Sequence, residues 1–342
     1  MITQTPSNKI VQSLAISIAI SIFFTFSLNE FVIVQAENQD QGKVFVMYAG
    51  SLLKIFEDRL GPAFQNQTGF TFQGESKGSV QIANMILDGF RKPDVFVSAG
   101  TIPILKLANN NPPFVHWWIK FASAELVIMY LPNSRFHTEL DLSKGGNIPW
   151  YKVISEKGFK LGRTDPELDP NGYNAIKAAK LSNIYYKDMG LKQRILGEDR
   201  NLKQIFPEEI LNIVLESGQV DAIFAYKHEA ISRGLPYITL PPQINLGNQD
   251  FATFYKNASY SFSSINQTEY GPSIYFSISI LDTNKNIETT TSFTNFVLLT
   301  NIGKRILESQ GLNYLKNPII EGDVRDSIIY KNIFKIIIII IE

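Results

Sequence analysis

Two glycine-serine pairs, Gly50-Ser51 in "YAGSL" and Gly78-Ser79 in "SKGSV", stand where an apolar strand pattern gives way to a helical one. A helix that starts behind a glycine presents unpaired backbone N–H groups and the positive end of its dipole. The serine adds a hydroxyl donor, and the glycine lets a ligand approach the backbone closely. Such a joint suits an anion and needs no basic side chain. The segment "DPELDPNGY" is a further helix start, in which Asp169 and Pro170 precede Asn171 and Gly172. Pro170 lacks an N–H and stiffens the first turn. Two roles stay open at this point for Asp169 and for the serines: capping their own helices, or touching a ligand. A third serine at a strand end, Ser98 in "DVFVSAG", belongs to the same pattern.

The elements that position these residues alternate between short apolar strands and helical runs from Lys43 onward, which defines an α/β protein. Strands are expected over 44–49, 70–76 and 94–98, with helices over 52–66 and 79–90. Connections of this length fit a doubly wound, parallel arrangement. "AELVIMYLPNSR" carries a strand out of this unit, and a second unit follows with a helix over 171–189 and strands over 222–226 and 237–240. Pro241-Pro242 breaks the last of these, and a strand over 273–281 with helices over 287–300 and 303–310 completes the chain. The simplest arrangement is a lobe I of residues 43–125 plus 247–325 and a lobe II of residues 126–246. Two extended crossings join them, near residues 126–130 and 237–246, and a ligand sits in the cleft between. One continuous α/β sheet is the alternative.

Lys plus Arg equals Asp plus Glu at 32 each, so there is no basic excess to hold a nucleic-acid backbone. The absence of cysteine excludes disulfides, thiolate metal sites and a cysteine nucleophile. No G-x-S-x-G elbow surrounds Ser51, and His116, His137 and His228 have no ligand spacing, so an enzyme is not expected. Residues 1–36 run from Lys9 through an apolar stretch to "VQA", the order of an export signal or an N-terminal anchor. Sequons at Asn66, Asn257 and Asn266 fit an extracellular surface. Residues 326–342 carry six consecutive isoleucines, Ile336 to Ile341, ahead of Glu342, a hydrophobic tail too short to cross a bilayer.

Five segments in order, "YAGSL", "SKGSV", "DVFVSA", "GRTDPELDPNGY" and "YITLPPQINLG", resemble those of the archaeal molybdate/tungstate-binding proteins of ABC transporters. The resemblance covers residues 43–315. It implies a two-lobed type II periplasmic-binding-protein fold with a hinge of two crossover strands. It also implies capture of a small inorganic oxyanion, molybdate or tungstate first, and delivery to an ABC transporter permease by an extracellular or periplasmic monomer without a cofactor. Carried over by motif, Gly50, Ser51 and Ser79 would hold the anion from lobe I. Asp169, Pro170 and the amides of Asn171 and Gly172 would hold it from lobe II, with Tyr237 completing the site and Asp169 as a direct ligand to molybdenum or tungsten.

Two departures stand out. Ala225 replaces a glutamate that, in the family, joins the aspartate in giving carboxylate oxygens to the metal. His228 and Glu229 are the nearest substitutes, unless they are exposed helix residues. Ala124 stands where asparagine is usual. Both changes admit sulfate or phosphate instead, and for phosphate Asp169 would accept from a protonated oxygen. A cell-surface interaction protein is the other class considered, with "PPFVHWWIKF" at 112–121 as contact surface or, alternatively, as a packed loop and core strand.

Overall fold

Strand β1 (Lys43–Ala49) is buried without interruption from Val46 to Ala49, as a central strand between parallel neighbours must be. In this computed structural model, which describes residues 42–323 apart from 264–266, 272 and 285, those neighbours are β2 (Thr71–Lys77) and β3 (Val95–Ala99). The segment expected to be an export signal or anchor, Asn266 and the isoleucine tail lie outside the described residues. Beyond β3 the sheet turns antiparallel through β12 (Tyr275–Ile280), β4 (Trp117–Ser123) and β13 (Asn313–Gly322), giving the order β13-β4-β12-β3-β1-β2. Trp117 and Trp118 are buried in β4, so the aromatic run is a core strand and not a contact surface.

A second sheet holds β5 (Leu126–Tyr130), β6 (Leu161–Thr164), β7 (Ile205–Phe206), β8 (Ala222–Tyr226) and β9 (Tyr237–Thr239), in the order β7-β6-β8-β5-β9. Here β7, β6 and β8 are parallel, and β5 runs antiparallel to β8 and β9. β10 (Ser259–Phe262) and β11 (Gln267–Tyr270) form a separate antiparallel pair. The fold therefore carries two large sheets and this small pair rather than one continuous sheet. The expected first crossing at 126–130 is corrected: all five residues are buried within the second sheet, because an apolar strand finds backbone partners in β8 and β9. The chain crosses at Ala124 and Glu125 instead. Backbone hydrogen bonds stitch the crossing segments together, Leu126 N to Asn245 O at 2.8 Å, Ile274 N to Leu246 O at 2.7 Å and Ala124 N to Ile274 O at 3.2 Å. The described residues from Gly42 to Asp323 belong to one compact unit.

Among the helices that bear on the site are α1 (residues 50–68), α2 (Ser79–Leu87), α3 (Pro170–Tyr185) and α4 (Glu208–Glu216). α3 is buried without a break from Pro170 to Ala179, and Lys177 lies inside this run. Its ammonium stands 4.0 Å from Glu269 Oε1 and 5.2 Å from the centre of the Tyr173 ring. Burial, only partly offset by Glu269, pushes Lys177 down to about 8. Between that value and the ordinary lysine value of about 10.4, the unfolded chain binds more protons than the folded one, so stability rises with pH. The melting temperature of the wild type relative to Lys177→Met is expected to climb by roughly 4 °C from pH 8 to pH 10. A flat difference across that range would contradict it.

Candidate functional site

The ends of the parallel strands bring the polar residues together, following the rule that ligands lie outside the carboxyl ends of such strands. In the first sheet, β1, β2 and β3 end at Ala49, Lys77 and Ala99, side by side at a strand spacing of about 4.8 Å. Glycine follows each end, at Gly50, Gly78 and Gly100. In the second sheet, β7, β6 and β8 lead into Glu208, Asp169 and Glu229, at the starts of α4, α3 and α5 (Lys227–Arg233). The two sets meet. A Cβ at Gly50 would stand 1.5 Å from Glu208 Oε2, and one at Gly78 would stand 2.7 Å from the Leu168 carbonyl oxygen and 3.2 Å from Asp169 Oδ2. One at Gly100 would stand 2.6 Å from the Tyr173 hydroxyl. The glycines are there because lobe II groups approach the lobe I backbone closely.

The serines do not cap their helices. The capping positions are Ala49 and Gly78, both with extended backbone and no side-chain hydrogen bond. The first-turn N–H groups of α2 point instead into lobe II. Ser79 N–H is directed at the Asp169 carboxylate, and Gln81 N donates to Leu168 O at 3.0 Å. Ser79 Oγ accepts from Ala99 N at 3.1 Å, which leaves the hydroxyl hydrogen as a donor. Ser51 Oγ is buried and has no hydrogen-bond partner among the described residues. Ser98 is buried in β3, its hydroxyl donating to the carbonyls of Ala99 and Gly100.

Asp169 both caps α3 and reaches across the cleft. Its Oδ1 accepts from Asn171 N at 2.9 Å and Thr164 Oγ1 at 2.8 Å, while Oδ2 turns toward Gly78. Pro170 is the buried first residue of the helix. The expected role of the Asn171 amide is corrected, because a capping aspartate takes the N–H of the second helical residue. Gly172 is packed on β6, where a Cβ would stand 2.5 Å from Thr164 O.

Tyr237 is not brought to this site. It pairs with Met129 in β9 and packs half-buried on the cluster of Val127, Leu211 and Ala225, on the opposite face from Leu126 and Phe224. The tyrosines near the strand ends are Tyr173 and Tyr226, both buried. Tyr226 accepts from Asn174 Nδ2 at 3.2 Å and stacks on the His228 ring. Sequence reasoning missed both, although Tyr226 closes β8 and Tyr173 lies in the first turn of α3.

Neither His228 nor Glu229 is an exposed helix residue. Glu229 Oε2 accepts from Tyr226 N at 2.8 Å and so caps its own helix. His228 is fully buried beside the Ser51 backbone, and burial pushes it down to about 3, leaving a neutral imidazole. Burial also raises the carboxyls: Asp169 to about 6, against hydrogen bonds from Thr164, Asn171 and Ser79, and Glu229 to about 7. Burial and the neighbouring Asp169 and Glu229 push Glu208 well up. At the rim, Lys77 Nζ pairs with Glu209 Oε1 at 2.8 Å across the two lobes. Glu208 was the group invisible from the sequence, and its one signal is that β7 runs parallel to β6, so that whatever follows β7 shares an edge with Asp169. An anion placed here meets the Ser51 and Ser79 hydroxyls and two helix starts from lobe I, with the Ser79 and Gln81 N–H groups turned to lobe II, and carboxyl groups from lobe II.

A cleft of this kind, between two α/β lobes stitched by two crossings, belongs to the solute-binding proteins. The chain matches the model of the bacterial extracellular solute-binding protein family over residues 44–313 and is a member of that family. It is 31% identical over 283 residues to an uncharacterized solute-binding protein of Petrotoga mobilis, covering 81% of this chain and 85% of that one. It is 28% identical over 314 residues to the molybdate/tungstate-binding protein of Pyrococcus abyssi, covering 85% and 90%. Among solved structures, the periplasmic molybdate-binding protein of Azotobacter vinelandii superposes with a TM-score of 0.54 at 18% identity, covering 80% of this chain and 99% of that one. The fold is that of the type II periplasmic binding proteins.

Proposed function

We propose that this chain is an exported monomeric binding protein that captures molybdate or tungstate between its lobes and delivers it to an ABC transporter permease. The observation that carries this is the meeting of the Gly50-Ser51 and Gly78-Ser79 joints, with their uncapped helix starts, and the Asp169 carboxylate. Donors alone would suit any oxyanion. A carboxylate among them repels an ordinary anion but supplies an oxygen ligand to a metal-centred one. The Pyrococcus abyssi relative, named for molybdate and tungstate, supports the same choice. Gly50, Ser51 and Ser79 bind from lobe I, and Asp169 binds the metal centre from lobe II. Pro170 and Gly172 set the start of α3 on β6, and capture draws the lobes together by population shift.

Isothermal titration of the purified protein with tungstate, molybdate, sulfate and phosphate tests this. Submicromolar binding of tungstate and molybdate is expected, with sulfate at least about 100-fold weaker, a gap of about 2.8 kcal/mol. Tight sulfate or phosphate binding without tungstate binding would overturn it. Ser51→Ala removes a hydroxyl that bonds nothing among the described residues, so its melting curve is expected to match the wild type within about 0.5 kcal/mol. Its tungstate affinity is expected to fall by roughly tenfold, the worth of one hydrogen bond to a charged group. Unchanged affinity would take Ser51 out of the site.

A further inference from the structure

Each acidic group near the cleft except one has a structural task. Asp169 caps α3, Glu229 caps α5, and Glu209 pairs with Lys77. Glu208 makes no hydrogen bond or ion pair among the described residues, yet its carboxyl is seated against the Gly50-Ser51 joint. Its Oε2 lies 1.5 Å from where a Cβ at Gly50 would stand, and the hydroxyl of the next residue, Ser51, has no partner among the described residues. A complement to the dipole of its own helix does not require that position, since any first-turn acid does that from the surface. Lobe II thus sets one carboxyl, Asp169, against the second glycine-serine joint and another, Glu208, against the first.

We infer that Glu208 is the second carboxyl of the ligand site and the residue that makes it select a metal-centred oxyanion over sulfate. This rests on the oxyanion function proposed above. Sulfate is fully ionised and has neither a proton to donate nor a centre that accepts further ligands, so two carboxylates flanking it only repel. Molybdenum or tungsten in its tetraoxo anion is a hard, electron-poor centre. It accepts a lone pair from a carboxylate oxygen, forming a metal–oxygen bond with no change of oxidation state and no leaving group. Phosphate, which carries a proton at neutral pH, is separated from these by the same titrations.

Competition titrations of tungstate against sulfate and phosphate on the wild type, Glu208→Gln and Gly50→Ala test the inference, together with X-ray absorption of bound tungsten. Glu208→Gln keeps the side-chain shape and removes the group that can give up a proton and become a carboxylate ligand. In Gly50→Ala the methyl takes the place of the carboxyl, which can swing away because it is the end of a flexible side chain. In both variants the tungstate-to-sulfate preference is expected to shrink at least tenfold, and in Glu208→Gln tungsten is expected to lose one oxygen neighbour. A wild-type preference and an unchanged oxygen count in Glu208→Gln would overturn the role of Glu208 while leaving tungstate capture intact. A wild type preferring phosphate, or binding no anion, would overturn both.

Discussion

Asp169→Asn is expected to weaken tungstate binding by roughly 100-fold, about 3 kcal/mol, the loss seen when one partner of a buried charged contact is removed. Asparagine caps helices as well as aspartate does, so the Asn171 N–H keeps an acceptor and the melting temperature is expected to stay within about 2 °C. The sign for sulfate is opposite. Removing a buried negative charge from a site lined by N–H donors should let sulfate bind more tightly in the variant than in the wild type. Titration of both anions reads the two directions at once. A variant that binds tungstate as well as the wild type would reduce Asp169 to a helix cap.

Gly78→Val is expected to block closure of the cleft. A Cβ at this position lies 2.7 Å from the Leu168 carbonyl oxygen, a backbone atom that cannot rotate aside. The backbone of Gly78 is extended, φ −54 and ψ 131, so valine fits lobe I itself and the fold is retained. What is lost is the seam between lobes, including Gln81 N to Leu168 O and Ser79 N–H to Asp169. If the closed state is penalised by about 3 kcal/mol, apparent affinity falls roughly 100-fold. Small-angle scattering checks the cause: saturating tungstate should shrink the radius of gyration of the wild type and leave that of Gly78→Val unchanged. An equal contraction in both would contradict the seam.

The lobe I half of the site was legible because its determinants are local. A strand that ends in Gly-Ser before a helix announces its free N–H groups in five residues, and Gly50, Ser51, Gly78 and Ser79 all stand at such joints. The same holds for Asp169 before Pro170, whose capping role follows from sequence order alone. Groups that reach the cleft from a different element were not legible. Glu208 in "FPEEI" reads as an ordinary acidic helix start, and its approach to Gly50 depends on how residues more than 150 positions apart dock across the crossings. His228 and Glu229 read as surface residues because their burial comes from packing against lobe I and not from their own pattern. Tyr237 was assigned from its nearness to a crossing, but strand alternation turned it to the other face of the sheet. The antiparallel half of the first sheet was likewise hidden, since β12 and β13 return from far along the chain to pair with β3 and β4.

The most direct measurement is a crystal structure of the protein grown with tungstate, with diffraction collected at the tungsten absorption edge. One anomalous peak is expected between the two lobes, within bonding distance of Asp169 and in reach of Ser51 and Ser79. A peak on an outer surface, or none in the cleft between Gly50, Gly78 and Asp169, would contradict convergence of the two lobes on one oxyanion.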